Sequence, residues 1–245
     1  MDESLFLRQI ALKPNAVLPD YTDKLPAVNS LRRHPIELRK PITFFVGENG
    51  SGKSTLLEAA AIAMGFNPEG GTLNFCFSTN GDYSALHTQL LLTKGISRPK
   101  GGFFLRAESF WNVAGYVDEI ANEYPPILDR YGGVSLHEQS HGESFLALVE
   151  NRFRGQGFYI LDEPEAALSP SRILTLMCNI HELTEQGAQF LIATHSPMLI
   201  ACPDSEILEL SERGIDRVAY TETEQYRVTK EFLECPERML HYLLE

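Results

Sequence analysis

Nine consecutive residues, Gly47-Glu48-Asn49-Gly50-Ser51-Gly52-Lys53-Ser54-Thr55, combine the residue types that hold a polyphosphate, at a spacing that lets them act together. Glycines let successive backbone N–H groups converge on phosphate oxygens. Lys53 is long enough to reach the β and γ phosphates, and the Ser54 hydroxyl is left for Mg²⁺. The stretch is a Walker A pattern in its proper setting. The apolar run Ile42-Thr43-Phe44-Phe45-Val46 before it reads as a buried strand. Leu56, Leu57, Ala60, Ala61 and Met64 after it form one face of a helix that stops at Gly65. That helix aims its positive N-terminal end at the bound anion.

A second group of candidates stands at the carboxyl end of another apolar run, Phe158-Tyr159-Ile160-Leu161. Open parallel sheets place ligands at that end of their strands. Asp162 there reads as the Walker B carboxylate that holds Mg²⁺, and Glu163 as the group that polarises the attacking water. His195 follows the buried strand Phe190-Leu191-Ile192-Ala193-Thr194 and is expected at the same edge, as a hydrogen-bond donor to the γ-phosphate. The alternative is a satisfied loop histidine ahead of the Ser196-Pro197 helix start.

Ser140-His141-Gly142-Glu143-Ser144 supports two readings. Ser140 and Glu143 have capping-box spacing at the head of an amphipathic helix, which is a sufficient structural reason for both. The helix end also offers a hydroxyl and free N–H groups to an anion, and Gly142 allows close approach. Such an end contributes about 1 kcal/mol toward an anion, so it assists a site and cannot create one. A tip facing away from its own loop would meet a nucleotide held by a second copy of the chain.

The elements that position these residues alternate helix and strand over the second half, which implies a parallel sheet and an α/β fold. A strand is expected over Leu5–Leu12, then a loop rich in proline and aspartate, then a strand near Ile36-Glu37-Leu38. This opening reads as antiparallel. After Gly70-Gly71 come the alternating Leu73, Phe75 and Phe77, an Asn80-Gly81 turn, and an apolar run over residues 86–92. The strand Gly102–Arg106 ends at Glu108. Ser109–Tyr131 reads as helical, with a break at Pro125-Pro126 and no heptads. Helices follow over Gly142–Phe153 and after a Ser169 N-cap with Pro170 in the first turn, ending at Gly187. Ile207–Tyr220 reads as a hairpin, and Pro236–Leu244 as a closing amphipathic helix.

At 245 residues and 43% hydrophobic content the chain supports one large domain. The formal net charge of −12 disfavours nucleic-acid binding through the overall field, so nucleic acid is not the default partner. Cys76, Cys178, Cys202 and Cys235 are scattered, without zinc or disulfide spacing. The acidic start Met1-Asp2-Glu3-Ser4 has no signal-peptide core, and no apolar run spans a bilayer. The expectation is a cytoplasmic protein without direct membrane insertion.

Taken in order, these motifs resemble the ATP-binding cassette (ABC) class of ATPases. Walker A lies at Gly47–Thr55, the signature at Gln139–Glu143, Walker B at Tyr159–Pro164, a D-loop at Glu165–Pro170 and the switch histidine at His195. Phe103–Phe110 and Ala193–Pro197 are similar to stretches of stand-alone bacterial AAA-family ATPases related to SMC and RecF-type heads. The resemblance implies a single P-loop NTPase domain over residues 1–245. Its antiparallel β elements would lie at about 1–45 and 70–107, a helical subdomain at about 109–153, and the core at 42–66 and 154–245. It also implies ATP and Mg²⁺ as ligands, a homodimer formed with ATP, and an unknown protein partner. In that dimer Ser140 and Gly142 touch the γ-phosphate on Lys53 of the other subunit. Glu143 replaces the glutamine usual in transporter signatures. Glu108 stands at the Q-loop position, where it would ligate Mg²⁺ or orient water; its other reading is a helix cap. Tyr21 is placed to stack on adenine or to be an ordinary loop tyrosine. Arg32, Arg33, Arg39 and Lys40 read as a charged edge or as a border of the nucleotide. A role in DNA repair or defence, the energising subunit of a transporter, and a P-loop kinase are the competing functions.

Overall fold

The computed structural model describes residues 4–73, 83–107 and 110–244. In chain order its elements are β1 (Leu7–Leu12), α1 (Asp20–Asp23), α2 (Pro26–Arg33), β2 (Ile36–Glu37), β3 (Ile42–Gly47), α3 (Lys53–Met64), α4 (Leu86–Gln89), β4 (Leu90–Lys94) and β5 (Gly101–Arg106). There follow α5 (Phe110–Glu123), α6 (His141–Arg152), β6 (Gly157–Asp162), α7 (Pro170–Glu185), β7 (Gln189–Ala193), β8 (Ser205–Ser211), β9 (Gly214–Val218), α8 (Glu224–Glu234) and α9 (Pro236–Leu244). This is a mixed α/β fold, with a mainly parallel core sheet and a separate antiparallel sheet.

The core sheet runs β5-β6-β7-β3-β8-β9 and is parallel except for β9. Every residue of β3, β6 and β7 is buried, as expected of strands covered on both faces. The strand period of two splits their side chains between two cores. Phe44, Val46, Phe103, Tyr159, Phe190 and Ile192 pack under α5, α6 and α7. Phe45, Phe104, Phe158, Ile160 and Leu191 pack under α3 and the small sheet. Tyr159 joins both requirements of a buried tyrosine. Its ring stacks on Phe153 at 4.1 Å, and its hydroxyl donates to the Arg154 carbonyl at 2.8 Å. The small sheet, β2-β1-β4, is antiparallel throughout and is tied down by the buried Gln189. The Gln189 amide oxygen accepts from the N–H groups of Phe6 and Leu7 at 2.8 and 2.9 Å.

Several expectations need correction. β5 was expected among the antiparallel elements, but it pairs in parallel with β6 and forms an edge of the core sheet. The segment expected as a loop before Ile36 contains α1 and α2, and α2 buries Ala27, Val28 and Leu31. α3 is buried nearly all round its first two turns, because it lies between both sheets instead of covering one. Ser169 precedes α7 as anticipated, but its hydroxyl meets Ser171 Oγ at 3.1 Å and caps nothing. α8 had no counterpart in the sequence reading. The expectations for Phe75, Cys76, Phe77, the Asn80-Gly81 turn, Glu108 and Ser109 fall outside the described residues.

Candidate nucleotide site

Strand order dictates what meets at the carboxyl edge. β7 lies between β6 and β3, with Asp162 beside Ala193 and Ala193 beside Phe45 in register. The residues that follow each strand, Glu163, His195 and the loop from Gly47, therefore emerge side by side. Three local features shape that loop. Gly47 has φ 140°, and a Cβ there would sit 2.2 Å from the Leu210 carbonyl oxygen, so β8 and the loop can touch only through glycine. Gly52 has φ 95° and caps α3 in the left-handed region. The start of α2 braces it, through Leu25 and Ala27.

Lys53 is 4% exposed, and its ammonium donates to the carbonyls of Gly47 and Glu48 at 2.8 and 2.9 Å. Burial pulls its pKa below the ordinary lysine value, against the opposing pull of the carboxylates of Glu163, Asp162 and Glu165. The Ser54 hydroxyl donates to Asp162 Oδ1 at 3.0 Å. These two oxygen donors, one hydroxyl and one buried carboxylate, are the hard ligands that Mg²⁺ takes, and they fit it. Among the described residues no group of three or more His, Cys, Asp and Glu is placed to hold a metal. Phosphate and water oxygens would therefore have to complete the coordination.

Glu163 carries φ 51°, an unusual backbone for glutamate that is held by its N–H donating to the Ala193 carbonyl at 2.9 Å. Its carboxylate lies 3.8 Å from His195 Nε2, a buried atom with no hydrogen bond of its own among the described residues. The His195 backbone N–H donates to Glu165 Oε1 at 2.6 Å. The loop, Glu163, Leu25 and Thr55 line a cavity of about 140 Å³ that opens to solvent.

The Ser140–Glu143 tip stands apart from this cluster. No hydrogen bond or ion pair among the described residues joins it to the loop. Ser140 is exposed, and its N–H and hydroxyl both go to Glu143 Oε2, at 3.1 and 2.5 Å. Those bonds from Ser140, with Arg172 adding to them, hold the Glu143 carboxyl below the usual carboxylate range. Arg172 from α7 donates to Glu143 Oε1 at 3.0 Å. Gly142 makes room for the chain's own residues: a Cβ there would lie 2.5 Å from Arg172 Nη1 and 2.9 Å from the Ala167 carbonyl oxygen. Gly142→Ala is expected to lower stability by about 1–3 kcal/mol, checked by the urea midpoint.

Other candidates resolve simply. Tyr21 is exposed with no ring partner among the described residues. Arg39 pairs with Glu37 of the edge strand β2, as a charged sheet edge would, whereas Arg32 lies on α2 and pairs with Asp23 of α1, which corrects the expectation for that residue. Sequence reasoning gave no role to Arg172, Arg106 or Glu58, and placed Glu165 only as the start of the D-loop. Arg106 carried one usable signal, its place at a strand end beside Asp162 in register.

Two family models match, both described as AAA domains, at residues 24–89 and 98–201. The description of the second adds a candidate assignment, the AbiEii toxin of a type IV TA system. Ribose import ATP-binding protein RbsA of Roseobacter denitrificans is 27% identical over 198 residues, 71% of this chain. The chain spans only 37% of that protein's length. A Caldanaerobacter subterraneus protein, named as a candidate ABC transporter ATP-binding protein, is 26% identical over 245 residues, covering 90% of each chain. Among solved structures, a nucleotide-free ATP-binding cassette from an ABC transporter aligns over 95% of this chain and 98% of its own, with 17% identity and a TM-score of 0.50. That likeness concerns the fold alone.

Proposed function

We propose that this chain, an ATPase of the ABC and AAA class, is a single-domain switch that hydrolyses Mg-ATP between two copies of itself. One observation carries the sandwich. The cavity at the loop, about 140 Å³, is smaller than the roughly 300 Å³ at which small-molecule sites begin. It has room for phosphates and leaves the rest of a nucleotide on an open surface. A second surface would cover it: Ser140 and Glu143 are exposed and make no bond to their own loop, while Gly142 between them is buried beside Arg172 and Ala167.

In this reading Gly47–Thr55 cradle the phosphates, and Lys53 gives up two carbonyl partners for their oxygens. Ser54 and Asp162 hold Mg²⁺, which when bound would neutralise charge building on the β and γ oxygens. Glu163 orients and polarises the attacking water, and His195, whose Nε2 is otherwise unpartnered among the described residues, donates toward the γ-phosphate. Ser140 and Gly142 of the second copy approach the γ-phosphate from the far side. Glu108 is proposed as a further ligand or water-orienting group.

The test is the rate per chain as a function of chain concentration. A sandwich gives a specific ATPase activity that rises with concentration and saturates. An activity that is flat over a hundredfold dilution and insensitive to Ser140→Arg would contradict it and favour a self-contained phosphotransferase.

We place the switch in the cytoplasm, acting on a protein partner in a defence-type system. The second AAA model's description supports that setting, and the net charge of −12 speaks against nucleic acid as the primary ligand. A second reading, the energising subunit of a transporter, is supported by the named ATP-binding relatives. No helix among the described residues is long and apolar enough to cross a membrane. Recovery of the chain with a membrane fraction would favour that second reading.

A further inference from the structure

Asp162 is held from two sides. Ser54 donates to Oδ1 at 3.0 Å, and the Arg106 guanidinium lies 3.8 Å from Oδ2. Arg106 also donates to Glu58 Oε2 at 2.8 Å, and Glu58 Oε1 accepts from the Ser84 N–H at 3.2 Å. All three charged side chains are largely buried, with 21%, 11% and 9% of the Arg106, Glu58 and Asp162 side chains exposed. They join β5, α3 and β6 behind the phosphate loop. A buried carboxylate without a cation is costly; the Lys53 ammonium interacts with Asp162, and Arg106 adds a second positive charge beside Oδ2.

We propose that Arg106 is the metal's placeholder: a positioning residue that neutralises Asp162 until Mg²⁺ arrives with nucleotide, so that Mg²⁺ alone binds weakly. This rests on the reading of Ser54 and Asp162 as the Mg²⁺ site. A dication approaching Asp162 meets a fixed positive charge on the same carboxylate, and that repulsion is strong at reduced dielectric. The phosphates of a nucleotide outweigh it. Glu58 tempers the effect by sharing the guanidinium.

The electrostatic role and a merely structural one differ in sign. Without nucleotide, MgCl₂ up to millimolar levels is expected to leave the wild-type melting temperature unchanged. Arg106→Met is expected to melt higher as MgCl₂ is added, with a midpoint at least about tenfold lower than that of the wild type. Glu58→Gln, which removes the Glu58 charge from beside the guanidinium, is expected to raise the MgCl₂ needed for ATP-dependent stabilisation by a similar factor. If Arg106→Met does not fold, Arg106→Met/Glu58→Met removes both members of the pair and carries the same test.

Two results would overturn the placeholder. One is an Arg106 variant, single or double, that folds but gains no stability from MgCl₂ alone. The other is a Glu58→Gln protein with an unchanged Mg²⁺ requirement. Both are judged against a wild type that ATP and MgCl₂ together stabilise. A wild type that they do not stabilise would instead remove the nucleotide-site reading, and the placeholder with it.

Discussion

Replacing Lys53 with methionine is expected to weaken ATP binding by at least about 100-fold, measured by calorimetry or fluorescent-nucleotide titration. Truncating one partner of a desolvated, hydrogen-bonded charge pair costs about 2–5 kcal/mol. Lys53 meets those conditions, being buried at the loop with its ammonium already aimed along the backbone of Gly47 and Glu48. The same residue carries a pH signature. Its pKa is lowered in the folded protein by burial, so the unfolded chain binds this proton more readily. Below the folded pKa both states are charged, and the fold bears the full cost of burying the ammonium. As pH rises through the folded pKa toward the ordinary lysine value, that cost fades. The nucleotide-free wild type should therefore gain stability relative to Lys53→Met between about pH 7 and about pH 10, read as the difference in urea midpoints. A gap that moved the other way would mean that the ammonium is stabilised where it stands.

Glu163→Gln is expected to lower the hydrolysis rate by about 10²–10⁴-fold while leaving ATP affinity within a few-fold. Glutamine keeps the shape of the side chain and the backbone bond to Ala193, so the left-handed turn at Glu163 has no reason to change. What is lost is the carboxylate that we propose orients and polarises water, 3.8 Å from His195 Nε2. Single-turnover hydrolysis and equilibrium binding separate the two effects. A variant that bound ATP normally and hydrolysed it at the wild-type rate would remove Glu163 from the chemistry.

The parts of this site that could be read from sequence are those carried by contiguous residues or by strand ends. Gly47–Thr55 demand one backbone path. Asp162, Glu163 and His195 follow short apolar runs, the pattern of strands buried on both faces. A parallel sheet then brings those ends together. Residues whose role depends on a distant partner were not legible. Arg106 and Arg172 are ordinary basic residues until β5 settles beside β6 and α7 beside α6. The direction of β5 was misjudged because a short apolar run carries no sign of which neighbour it will choose. The segment before Ile36 looked like a loop because Pro19 and Pro26 punctuate it, yet Pro26 sits in the first turn of α2, where its missing N–H costs nothing. Gly142 shows how one residue can be rightly singled out for another reason. Expected to admit an anion, it also leaves room for Arg172 and the Ala167 carbonyl, which links the tip to the segment that follows Glu163.

The central claim is that two copies close on nucleotide, and the most direct measurement is the solution mass of Glu163→Gln with and without Mg-ATP, by light scattering after gel filtration. The account requires a single-chain mass without nucleotide or with Lys53→Met, and a two-chain mass with saturating Mg-ATP that reverts when Ser140→Arg is added. A single-chain mass with Mg-ATP bound would contradict it.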